Sequence, residues 1–179
     1  MKSVKKLKLE ELNRVDVETF KQTEKIPISI IVDNFRSALN VGSIFRTSDA
    51  FLISKIYLCG ISATPPNKEI LKTAIGANHA VDWIYVETTT EAIHKAKNEG
   101  AHVVGIEQTN ASISLADFHV NVNESYAIVM GNEVEGISTD SLDVIDTFIE
   151  IPQYGTKHSL NVSVCAGIVI YEFAKHYLR

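Results

Sequence analysis

Ile28-Ser29-Ile30-Ile31-Val32, followed by Asn40-Val41-Gly42-Ser43-Ile44-Phe45-Arg46-Thr47, reads as a strand, a loop over 34–40 and a helix. A short β-branched run with little polar alternation suits a strand buried on both faces. The same alternation continues outward from this unit. Further strands are expected at 55–59, 83–86, 102–106, 126–130 and 148–151, and helices at 41–51, 68–75, 90–98, 141–145 and 161–177. Asn67 and Thr88–Thr90 supply cap residues for two of these helices, and Gly100 supplies a stop. Strands alternating with helices define an α/β fold, a parallel sheet with helices on both faces. The loop 34–40 then lies at the carboxyl end of the sheet, where such folds place ligands.

The chain has 179 residues, enough for one ordinary domain without disulfide or metal staples. Residues 1–25 are charged and mildly amphipathic through Leu9, Leu12, Val15 and Phe20, which suggests a short helix or an adhering arm. Residues 26–179 form the domain proper. Cys59 and Cys165 sit in apolar contexts without metal or redox spacing and read as small core thiols of a reducing compartment. No apolar run approaches the ~20 residues of a membrane span, and no secretory leader is evident, so a cytoplasmic protein is expected. The net charge of −5 is unusual for a nucleic-acid binder. Its distribution matters more: Lys2, Lys5, Lys6 and Lys8 precede the first acid, and Arg36 and Arg46 bracket the first segment. A local basic face would bind RNA with strong salt dependence.

Two later segments carry chemistry. Met130-Gly131-Asn132-Glu133-Val134-Glu135-Gly136 ends a strand in a turn with two glycines. The glycines serve either positive φ or the close approach of a flat ligand. Ile151-Pro152 leaves a strand, since proline cannot continue a central ladder. Ser159-Leu160-Asn161-Val162-Ser163 then caps and opens the final helix. That helix is apolar nearly all round, so it is expected to be buried, with some surplus facing a partner subunit. His158 beside Ser159 makes no hydrolase, because no Gly-x-Ser-x-Gly elbow is present. Nor is there a Gly-x-Gly-x-x-Gly turn, a Gly-Lys-Ser/Thr loop, or metal-ligand spacing.

In this order the three segments resemble the motifs of the SpoU/TrmH branch of the SPOUT methyltransferases, which transfer a methyl group from S-adenosylmethionine to the 2′-hydroxyl of RNA ribose. Lys72-Thr73-Ala74-Ile75-Gly76-Ala77 extends the likeness to residues 27–177. The resemblance implies a SPOUT fold with a deep C-terminal trefoil knot, which general topology rules would not suggest. It implies catalytic roles for Asn40, Arg46, Glu133, Ser159 and Asn161, with Glu135 the competitor of Glu133. Gly131, Ile151 and Leu160 are implied cofactor contacts. The partners implied are an RNA substrate, tRNA or otherwise rRNA, and a second copy of the chain in a homodimer. One subunit's cofactor pocket would meet the other's Arg46, and no metal is called for. Only about 25 residues precede the domain, where many relatives carry an RNA-binding extension. Arg46 is expected in apolar surroundings, acting either on the ribose hydroxyl or as a bidentate phosphate clamp, since guanidinium is a poor base. Two other readings are a cofactor- and RNA-binding module without activity, and a base methyltransferase.

Overall fold

The computed structural model describes residues 4–178. Lys2 of the N-terminal lysine cluster lies outside them. The elements alternate as expected: β1 (Ile26–Asp33), α2 (Ala38–Ala50), β2 (Ile53–Cys59), α3 (Lys68–Ala74), β3 (Trp83–Val86), α4 (Thr89–Asn98), β4 (Ala101–Ile106), β5 (Ile113–Ser114), β6 (Ser125–Met130), α5 (Thr139–Leu142), β7 (Thr147–Glu150) and α6 (Val162–Tyr177). Before them, a 3₁₀ turn at Leu9–Leu12 and the short helix α1 (Val17–Gln22) form the N-terminal segment. That segment is held by Phe20, which is buried in the core.

Seven parallel strands run in the order β3-β2-β1-β6-β4-β7-β5. Six were expected; the two-residue β5 is too short to show a period. The central strands are buried on both faces, which is why they read as nearly continuous apolar runs. Along β1, Ile28, Ile30 and Val32 enter a core shared with α2, α3 and α6, while Ile31 enters one shared with α4. β6 does the same, with Tyr126, Ile128 and Met130 on one face and Ala127 and Val129 on the other.

Helix boundaries follow their caps. Asn67 Oδ1 accepts from Glu69 N at 2.8 Å, Thr88 Oγ1 accepts from Glu91 N at 3.2 Å, and Gly100 takes φ +87° just past α4. The expected helix at 141–145 instead occupies Thr139–Leu142. The final helix is buried along one face only. Ala166, Val169, Ile170, Phe173 and Ala174 are buried, but Val164, Ile168 and Tyr171 are exposed at 53%, 40% and 56%. One face packs on α2 and β1, and an apolar stripe stays uncovered. Cys59 is buried as expected, and burial pushes its thiol up to about 12. Cys165 is only partly buried, so the expectation of two core thiols holds for one.

Candidate active site

β6 lies between β1 and β4, and β7 lies beyond β4, so four carboxyl ends stand in a row: Asp33, Met130, Ile106 and Glu150. The chain builds outward from β1 to β2 and β3, then returns to place β4 on the opposite side. Open α/β sheets place ligands at such a reversal. Here the loops leaving β4, β6 and β7 line a cleft of about 340 Å³. That falls within the roughly 300–1,000 Å³ of small-molecule sites.

Gly131, Ile151 and Leu160 all line this cleft, as do Glu133 and Ser159. The fold therefore brings the second and third segments to one cleft, beside the loop that leaves β4. Packing within the chain itself requires glycine at 131. A β-carbon there would stand 2.5 Å from the Gly136 carbonyl carbon and from Ile137 N. Its own chain occupies the space.

The loop 132–136 is tied at its base. Asn132 N donates to Gly136 O at 2.8 Å, and Gly136 N returns to Asn132 O at 3.1 Å. Asn132 Oδ1 also accepts from Val134 N and Glu135 N. This turn aims Glu133 at the start of α2, where its carboxylate accepts from Arg36 N at 2.8 Å, Ser37 N at 3.0 Å and Asn40 Nδ2 at 2.9 Å. Burial pushes the Glu133 carboxyl up, but these donors outweigh it and hold the group below the usual carboxylate value. Glu135 is exposed and contributes its backbone N–H to the turn.

Asn161 caps α6, its Oδ1 accepting from Ser163 N at 3.0 Å and Val164 N at 3.3 Å. Its Nδ2 donates to Asn40 Oδ1 at 3.4 Å. Asn161, Asn40 and Glu133 thus form one chain of side chains beside the cleft. None of the three is spent on solvent alone.

Arg46 stands apart. Arg46 is not in the apolar surroundings expected for it: its neighbours Val41, Ile44 and Phe45 are buried in the core, while Arg46 projects from the exposed side of α2. Helical periodicity explains this, since adjacent positions differ by about 100°. Arg46 borders two hollows, one with Ser43, Thr47, Lys72 and Thr73, the other with Val17, Asp49 and Ala77. Neither hollow shares a residue with the cleft. A single chain does not bring Arg46 to the site.

Glu107 was not singled out in the sequence, yet it lines the cleft and binds Gln108 N at 2.9 Å and Ile137 N at 3.0 Å. An acidic residue just past a predicted strand end was the available signal. With Glu133, Glu135 and Glu150 it makes the cleft acidic, and among the described residues neither lysine nor arginine lines it.

A sequence profile of the SpoU rRNA Methylase family matches residues 27–171. The chain is 31% identical over 146 residues to the 23S rRNA (guanosine-2'-O-)-methyltransferase RlmB of Neisseria meningitidis, covering 82% of this chain and 57% of that protein. It is 30% identical over 146 residues to the tRNA (guanosine(18)-2'-O)-methyltransferase of Aquifex aeolicus, covering 80% and 66%. It thus spans about three fifths of the lengths of these relatives. The crystal structure of an A. aeolicus TrmH/SpoU tRNA modifying enzyme superposes with a TM-score of 0.79 at 25% identity, covering 90% of this chain and 82% of that one. An AdoMet-bound rRNA methyltransferase from Sinorhizobium meliloti shares the fold, with a TM-score of 0.79 at 24% identity over 89% and 61% of the two chains. A profile match running from β1 into α6, over the sheet, the cleft and all three segments, shows that the chain belongs to the SpoU rRNA Methylase family.

Proposed function

We propose that this chain is an S-adenosylmethionine-dependent methyltransferase acting on the 2′-hydroxyl of ribose in RNA, tRNA in the first place and rRNA otherwise. The observation that carries the reading is the joined set Glu133, Asn40 and Asn161 at the edge of a ligand-sized cleft. The tRNA preference rests on the A. aeolicus tRNA enzyme, of which the chain matches the larger share.

The cleft suits the cofactor chemically. Ile106, Met130, Ile151 and Leu160 offer apolar surface for a flat base, and the acidic lining favours a cation. Gly131, Ile151 and Leu160 would hold it, with Ser159 beside them. When bound, S-adenosylmethionine supplies an already activated sulfonium methyl, so the displacement calls for no metal. The protein's part is alignment of the hydroxyl and exclusion of water.

Arg46 enters from a second copy of the chain. Val164, Ile168 and Tyr171 provide the apolar face for a symmetric dimer, the usual remedy for an uncovered patch. There Arg46 would clamp a phosphate through its planar fork and stabilise the developing alkoxide. In this reading residues 26–179 are the methyltransferase domain and residues 1–25 an arm anchored by Phe20, in a cytoplasmic setting. The reading also carries a trefoil knot: α6 leaves β7 near one sheet edge and returns to pack on α2 and β1, a path suited to threading.

The test is incubation of the protein with bulk RNA and labelled cofactor, followed by nuclease digestion and mass analysis. Label in a 2′-O-methylated nucleoside from tRNA is expected. A methylated base would refute the ribose assignment, and cofactor binding without transfer would indicate a binding module.

A further inference from the structure

Glu107 follows the last residue of β4 and belongs to none of the three segments that carry the family likeness. Both its carboxylate oxygens are committed: Oε1 accepts from Gln108 N at 2.9 Å, and Oε2 from Ile137 N at 3.0 Å. Gly136 lies against it at φ +72°, and a β-carbon there would fall on Oε2. Gly131 closes the same junction from the β6 side, pressed on the backbone of Gly136 and Ile137. Three backbone pieces therefore meet at one point, and Glu107 is the side chain seated there.

That point is one foot of the loop 132–136. The loop carries Glu133, which holds Arg36, Ser37 and Asn40. One carboxylate anchors the foot of the loop, and the loop's own carboxylate reaches across to α2. The network is half-buried, and with every member satisfied it favours one arrangement of the two loops. Glutamine at 107 could accept one of the two N–H groups and would oppose the other with its NH₂.

We propose that Glu107 is a positioning residue for the methyl transfer: by clamping Ile137 N–H and Gly136 it sets the reach of Glu133, and through it the placement of Asn40 and Asn161. Its effect on rate rests on the function proposed above; its effect on the loop does not.

The test has two arms on the full chain. In the first, amide hydrogen exchange is followed in the ligand-free protein for residues 132–137 and 36–40. Glu107→Gln and Gly136→Ala should each speed exchange in both segments at least about tenfold, with β1 unchanged. Faster exchange confined to 132–137 would overturn the coupling, and unchanged exchange would overturn the clamp. In the second arm, Glu107→Gln should lower kcat about tenfold with KM for RNA within about twofold, whereas in a Glu133→Gln background it should change kcat by less than about twofold. Rate losses that simply multiply would mean that Glu107 does not act through Glu133. A wild type that labels no RNA would overturn the proposed reaction, while the exchange arm still decides the clamp.

Discussion

Replacing Glu133 with glutamine removes one charge and one acceptor oxygen from a carboxylate that holds three donors. An oxygen left in the Oε1 place keeps both Ser37 N and Asn40 Nδ2, and the new NH₂ meets Arg36 N donor to donor. Losing one charge-assisted bond costs about 1.5–3 kcal/mol. Glu133 is only partly buried, so solvent screening reduces the expected loss to about 1–2 kcal/mol. For a chain of this length that lowers Tm by about 2–8 °C near pH 7. The loss should also depend on pH. Burial raises the Glu133 carboxyl, but the Arg36 N–H, the Asn40 amide and the Ser37 N–H outweigh it and hold the group below its usual value. A carboxyl depressed on folding contributes its full stability above its unfolded pKa and loses it as pH falls through the folded value. The gap between wild type and Glu133→Gln should therefore be full at about pH 7 and close as pH falls below about 4.5. Urea unfolding midpoints for both proteins across that range measure it. A gap that stays constant, or a variant as stable as wild type at neutral pH, would refute this account of the site.

Arg46→Lys keeps the charge but loses the fork, so methylation should fall by more than about a hundredfold while calorimetric cofactor affinity stays within about twofold. Near-wild-type turnover by Arg46→Ala would make the arginine merely structural. On the exposed stripe of α6, Ile168→Asp should shift light scattering from dimer to monomer and abolish transfer; an intact dimer would show that another face pairs. Gly131→Ala forces a methyl group onto the backbone at Gly136 and Ile137, which should cost about 1–3 kcal/mol of stability. An unchanged denaturation midpoint would contradict that packing. Leu160 is 37% exposed and should act mainly through its backbone, so Leu160→Ala should weaken cofactor binding only slightly in the same calorimetry.

Strands such as 28–32 and 126–130 were legible because both faces of a covered parallel sheet demand apolar side chains, leaving nearly continuous apolar runs. Caps at Asn67 and Thr88 were legible because a cap bonds within its own first turn. β5 was not, since Ile113-Ser114 is defined only by its pairing with β7. The helix expected at 141–145 lies at Thr139–Leu142 because so short an element takes its bounds from neighbours, here α4.

The sequence by itself determined which residue types stand in which order: an amide and an arginine after one strand, a glycine–acid turn after another, and a serine–amide cap before the last helix. Only the tertiary structure decided which of them meet. Asn40, Glu133 and Asn161 converge because parallel strands put their carboxyl ends on one edge, whatever the distance along the chain. Arg46 turns away because its helix spends the apolar face on the core, leaving the arginine on the outside. Gly131 and Glu107 take their meaning from backbone segments that touch only once the sheet has formed, which no local pattern encodes.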